Sequence, residues 1–283
     1  MVSFDQLPYK VYDNIAIPHF IQPRTEIRTK FKIRPRTDII VASYQKSGTT
    51  WTQNILRHLL WPGDNTLLFE RVPWINVTRP LSLSLEEIER LSDPRVIKTH
   101  DPVQWIDDLL QGSEAKLIYV YRNPRDVALS YYNHMSLKPS MRGVTFQHFY
   151  RDVIRNPVRA NHGLWEDHVG GYLKLKIQKQ NMLLLRYEDM VEDLAREIGR
   201  IAQFIGVECS GIGSDSLIAE VEEKTQFSYM KKDTSCNYSH HYKHDLFLRN
   251  GKVGTWKEYL TDEQGQELGD IQRQVFNKYG IFI

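Results

Sequence analysis

The sequence predicts an α/β fold, a single domain whose central parallel β-sheet is flanked by helices, from three observations. Four short apolar runs lack polar alternation, helical patterns fall between them, and one strand-to-helix junction, VASYQKSGTTW (Val41–Trp51), holds the ingredients of a phosphate-binding turn. Uninterrupted apolar runs suit strands buried on both faces of a parallel sheet.

The elements follow in order. Ile39–Tyr44 (IIVASY) reads as the first sheet strand and Thr49–Leu60 as the helix behind it. Val96–Thr99 (VIKT), Leu117–Tyr121 (LIYVY) and Met182–Arg186 (MLLLR) are the further strands. Asn123 before Pro124 is a cap and first-turn signature for a helix running through His134. Leu194, Ile198, Ile201, Ala202 and Ile205 share one helical face, which Gly206 ends. Asp233–Phe247 has no clear periodicity and is expected to be mobile. No repeat or linker divides the chain, so residues 1–283 are taken as one domain, with ligands at the carboxyl ends of the strands.

Composition narrows the partners. With 41% hydrophobic and 25% charged residues the chain is an ordinary globular one, and a net charge of +2 gives no nucleic-acid-coating surface. Two cysteines, Cys209 and Cys236, without C-x-x-C spacing indicate neither a disulfide framework nor a zinc knuckle. No apolar run approaches a membrane span and MVSFDQLPYK lacks signal-peptide character, so a cytoplasmic protein without a membrane partner is expected.

The turn itself is built for an anion. Gln45–Gly48 lies where backbone N–H groups and the positive end of the following helix converge. Lys46 adds charge, Gly48 allows close approach, and Ser47, Thr49 and Thr50 add hydroxyls, while Trp51 offers a face for a purine. The order departs from the ATP-binding G-x-x-x-x-G-K-[ST] loop, since Lys46 precedes the only glycine. A carboxylate at a buried strand end, needed to hold magnesium, is also poorly supplied: MLLLRYED interposes Arg186 and Tyr187 before Glu188 and Asp189. A P-loop-like turn serving an anion without magnesium suits a sulfonyl group.

Three more stretches, RVIKTH ending at His100, YVYRNPRDVALSYY from Tyr119 and FLRNGKVGTWK from Phe247, follow in order. Together with SYQKSGTTW the set resembles the cytosolic sulfotransferases, over about Phe31 to Lys257. The resemblance implies 3′-phosphoadenosine 5′-phosphosulfate (PAPS) as co-substrate, 3′-phosphoadenosine 5′-phosphate (PAP) as product, no metal, and a phosphosulfate-binding role for the loop. It implies His100 as general base and Lys46 and Lys98 as the lysines that steady the departing phosphate. Arg122 and Ser130, with Arg249, Asn250 and Gly251, match the positions that hold the 3′-phosphate. Tyr187, Thr225 and Phe227 match adenine contacts, and Phe20 and Trp74 match the acceptor wall. His134 follows the cofactor helix on the pocket side, and His241 falls in the family's lid. The acceptor is then a small alcohol, phenol or amine.

Departures from the pattern are specific. Gln45 replaces a proline, Asn250 a lysine that Lys252 was expected to compensate in part, and Thr255 an aspartate. In KEYLTDEQGQ, Asp262 and Gln266 replace the valine and glutamate of the family's dimer motif, so a monomer or a non-standard dimer is expected. His240, His241 and His244 near Cys236 leave open a metal reading, although lid contacts fit better than this donor set. An Mg-ATP-dependent small-molecule kinase and a non-catalytic nucleotide-binding module remain the alternative functions.

Overall fold

All four apolar runs enter one parallel sheet in the computed structural model, which describes residues 9–22, 24–77, 79–208, 214–237 and 248–281. The strands among them are β1 (Tyr9–Tyr12), β2 (Ile15–Pro18), β3 (Ile39–Ser43), β4 (Val96–Thr99), β5 (Lys116–Tyr121) and β6 (Met182–Arg186). The sheet order is β4-β3-β5-β6, so successive connections leave β3 in opposite directions and open a crevice at its carboxyl end.

The two-residue period of each strand sorts its side chains onto two cores. Ile40, Ala42, Leu117, Tyr119 and Tyr121 pack with Trp165, Tyr172 and Phe276 on one face. On the other, Ile39, Val41, Ile118 and Val120 pack with Ile55, Leu56, Ile198 and Ile201. Helices Trp165–Gln178 and Asp262–Lys278 therefore cover the first face, and Thr49–Leu60 and Leu194–Ile205 the second. Burial on both sides is why these strands show no polar alternation.

Helix ends match their chemistry. The Asn123 side chain accepts from Arg125 N before the Pro124–Met135 helix, and Gly206 closes Leu194–Ile205 in the left-handed conformation at φ 85°. Thr261, read in sequence as part of a dimer motif, has a local role: its hydroxyl accepts from Gln264 N while the Gln264 side chain accepts from Thr261 N. The antiparallel β1–β2 hairpin was not read from the sequence. Its two-residue turn, Asp13–Asn14, has positive φ at both residues, 50° and 63°, as a tight hairpin turn of matching twist requires.

At the amino ends of the strands, opposite the ligand edge, Arg95 donates through Nε and Nη2 to the two oxygens of Asp38 at 2.8 and 2.6 Å. Both side chains have zero exposure. Arg95→Met leaves the Asp38 carboxylate buried without its partner and should lower stability by about 3–5 kcal/mol in urea unfolding; a loss below about 1 kcal/mol would show that the pair does not anchor the strands.

Candidate active site

The four sheet strands deliver one segment each to a cavity of about 550 Å³. Gln45–Trp51 follows β3, His100 follows β4, Arg122 follows β5 and Tyr187 follows β6. The carboxy-terminal stretch Leu248–Gly251 closes the same space.

The turn after β3 is strained in the way an anion site needs. Lys46 and Gly48 both adopt positive φ, 67° and 108°. Gly48 caps the Thr49–Leu60 helix without any side-chain cap, and no acidic residue occupies that helix's first turn, so its leading amides are left for a ligand. A Cβ on Gly48 would stand 2.7 Å from Tyr187 Cδ2. Tyr187 also donates its hydroxyl to Gly251 O at 3.1 Å, which ties the turn to the closing segment. Gln45, lacking the ring constraint of proline, sends Nε2 to Asn161 O at 3.3 Å, so a side-chain hydrogen bond restrains the turn instead.

Charge is gathered here with little to neutralise it. Burial and the nearby Arg122 lower the Lys46 ammonium to about 8, and burial and Lys46 lower Lys98 to about 7. Lys98 is 7% exposed and its Nζ lies 4.2 Å from the Trp74 ring centre, so it is a buried cation on an aromatic face rather than a solvated strand-end charge. Arg122 stacks on Tyr187 at 4.0 Å and donates to Lys252 O at 3.0 Å. Lys252 is exposed and stands outside the cavity wall, with its carbonyl rather than its ammonium turned to Arg122.

His100 is fixed by the strand beside it. Its Nδ1–H donates to Ser43 O at 2.8 Å, which assigns the proton to Nδ1 and leaves the Nε2 lone pair available. Burial, with repulsion from Lys98, keeps the ring neutral far below the usual histidine range. Behind it, the Tyr119 hydroxyl donates to His168 Nδ1 at 2.9 Å and His168 Nε2–H donates to His100 O at 3.1 Å. Burial lowers His168 to about 4, so this support stays neutral as well.

The sequence-assigned residues converge with two exceptions. Ser130, Thr225, Phe227, Arg249 and Asn250 line the same cavity as the turn, and Phe20, Trp74 and His134 line its other part. Ser47 is wholly buried behind the turn and not on the cavity wall, and its Oγ has no hydrogen-bond partner among the described residues. His241 lies outside the described residues, as do His240 and His244 and most of Asp233–Phe247. Sequence reasoning missed His162, 2% exposed on the cavity wall with its ring centre 5.8 Å from that of His100. The signal was Asn161-His162-Gly163, a turn composition that gives His162 a φ of 66°. Lys138 and Asn133 on the wall were also missed.

The residues present fit an adenosine carrying anionic groups. Arg122 Nε and Trp51 Nε1, from two residues on the cavity wall, are buried polar atoms with no hydrogen-bond partner among the described residues. Glu188, by contrast, accepts from Asn123 N at 3.0 Å and pairs with Arg186, so the carboxylates after β6 serve the local structure. Among the described residues no group of three or more His, Cys, Asp or Glu is placed to hold a metal, and no helix is long and apolar enough to cross a membrane.

Residues 36–280 match the sulfotransferase domain family. The chain is 33% identical to cytosolic sulfotransferase 1 of Danio rerio over 275 residues, covering 91% of this chain and 88% of that one. It is 31% identical over 265 residues to 3-alpha-hydroxysteroid sulfotransferase of Cavia porcellus, with 90% and 88% covered. A mouse sulfotransferase solved in complex with PAP, SULT7A1, shares the fold with a TM-score of 0.77 at 24% identity over 95% of each chain. The chain belongs to the sulfotransferase family. It is a sulfotransferase enzyme, which sets aside the kinase and non-catalytic readings.

Two measurements test the geometry. Gly48→Ala forces a side chain into left-handed backbone and against Tyr187, and should weaken PAP binding by at least about tenfold in calorimetry. Binding a polyanion raises the pKa values of Lys46 and Lys98 from about 8 and about 7, so protons are taken up. PAP affinity should therefore fall as pH rises from 7 to 9; proton release in calorimetry across buffers of different ionisation enthalpy would contradict this.

Proposed function

We propose that the chain transfers the sulfuryl group of PAPS to the hydroxyl or amine of a small molecule by in-line displacement, with His100 as general base. The observation that carries this is the His100 ring, neutral, with Nδ1–H held on Ser43 O and Nε2 left to receive a proton. PAPS supplies an activated sulfuryl group whose leaving group is a phosphate. Lys46, at the tip of the turn, and Lys98, beside His100, provide the positive charge that growing negative charge on the leaving oxygen requires. Arg122, Ser130, Arg249, Asn250 and the Gly251 backbone hold the 3′-phosphate, and the amides of Gly48–Thr50 hold the 5′-phosphate. Trp51, Tyr187, Thr225 and Phe227 enclose the adenine. Phe20, Trp74 and His134 wall the acceptor, an assignment supported by the edge-on contact of Trp74 with both Phe20 and His100, at 6.0 and 5.0 Å.

The guinea-pig relative is named for a hydroxysteroid acceptor, which favours an alcohol or phenol on an apolar frame here. A cytoplasmic location is favoured by the name of the Danio rerio relative, and one domain over residues 1–283 by the one parallel sheet that both main cores share. The altered dimer motif favours a monomer or a different dimer.

His100→Ala should cut turnover of a phenolic acceptor by about 10²- to 10⁴-fold with PAP affinity nearly intact; undiminished turnover removes the base from His100. Arg122→Ala should weaken PAP by roughly 10- to 100-fold and ADP much less, since only PAP carries a 3′-phosphate. An equal loss for both nucleotides would move the 3′-phosphate elsewhere.

A further inference from the structure

The charged residues on the described cavity wall are Lys46, Lys98, Lys138, Arg122, Arg249 and one carboxylate, Asp126. Asp126 is engaged on the nucleotide side, where both of its oxygens accept from Gly254 N, at 3.1 and 3.0 Å. Lys46, Arg122 and Arg249 have anions assigned to them, and Lys98 sits beside the transfer centre. Lys138 has no such assignment.

Lys138 follows the Pro124–Met135 helix, past the wall residues His134 and Met135. His134 is half-buried, and desolvation holds its ring far below the usual histidine range, with repulsion from Lys46, Lys138 and Lys98 adding to that effect. Lys138 N donates to Met135 O at 2.9 Å, and Lys138 lines the cavity together with His134 and Met135, which puts it beside the acceptor wall assigned above. Lys138 is exposed as a residue, so its charge stands at the rim of the cavity. It makes no ion pair with a described residue, and burial lowers its pKa with no acid to oppose the shift. A lysine on a surface far from any cavity would simply be solvated. One that lines a binding cavity, partly desolvated and lacking a counter-ion, is poised to pair with a charge on a ligand.

We propose that the acceptor is a phenol or alcohol bearing a carboxylate, which pairs with Lys138 while the hydroxyl reaches His100. The inference rests on the acceptor assignment made above. The same field disfavours acceptors bearing an ammonium group, because no carboxylate on the described acceptor wall is there to receive it.

The test compares 3-(4-hydroxyphenyl)propanoate, 4-propylphenol and tyramine, three phenols that differ chiefly in charge. Their affinities are measured by calorimetry on the PAP-saturated protein and on Lys138→Glu. Wild type should bind the carboxylate roughly three- to tenfold more tightly than the neutral phenol and tyramine most weakly, and Lys138→Glu should reverse that order. Equal affinities, or failure of all three to bind, would overturn the proposal. A carboxylate advantage that survives in Lys138→Glu would place the anion at another cation and equally overturn it. PAP titration of both proteins reports separately on the nucleotide assignment, which fails only if PAP itself does not bind.

Discussion

The active site depends on the parallel pairing of β3 with both of its neighbours. Ala42 is in register with Thr99 on one side and Tyr119 on the other, so the turn at Lys46, the imidazole of His100 and the guanidinium of Arg122 leave the sheet at nearly the same level. A slip of one residue in β4 would reverse every side chain in that strand and move His100 off the Ser43 carbonyl. Packing opposes such a slip, because it would exchange Val96 and Ile97 between the two cores and turn Lys98 away from Trp74. Register and chemistry are thus specified by the same side chains.

Electrostatics differ sharply between the two ends of the sheet. At the amino ends Arg95 and Asp38 neutralise each other out of contact with water. At the carboxyl ends Lys46, Lys98 and Arg122 gather around one cavity, where Lys98 rests on an aromatic face and Arg122 on an aromatic face and a backbone carbonyl. Burial, with the like charge of a neighbouring cation, is why the two lysines shed protons more readily than free lysine. The imbalance is a preorganised field, set before any anion arrives.

Much of this was legible in the sequence. The sheet strands are short, mostly apolar runs, and the Leu194–Ile205 helix carries its own stop signal at Gly206, so local chemistry was enough. The turn at Lys46, His100 and Arg122 sit directly after strands, where motif and position reinforce one another. His162 and Lys138 were not legible because they reach the cavity from connections, and only the packing of distant segments shows that they face it. The Asp13–Asn14 hairpin was legible from its turn chemistry but was passed over, since its strands are short and only partly apolar.

The hydrogen bonds that close the nucleotide half span long stretches of chain. Arg122 and Lys252 are 130 positions apart, and Asp126 and Gly254 are 128 apart. The last sheet strand, by contrast, is complete at Arg186. During ribosomal synthesis the sheet has all its strands well before the closing segment emerges, so the nascent chain passes through a stage with an ordered core and an open ligand edge. Nucleotide has no full set of partners at that stage and gives the chain little protection. Ligand therefore acts as a guardian of the finished enzyme and not as a template for its assembly.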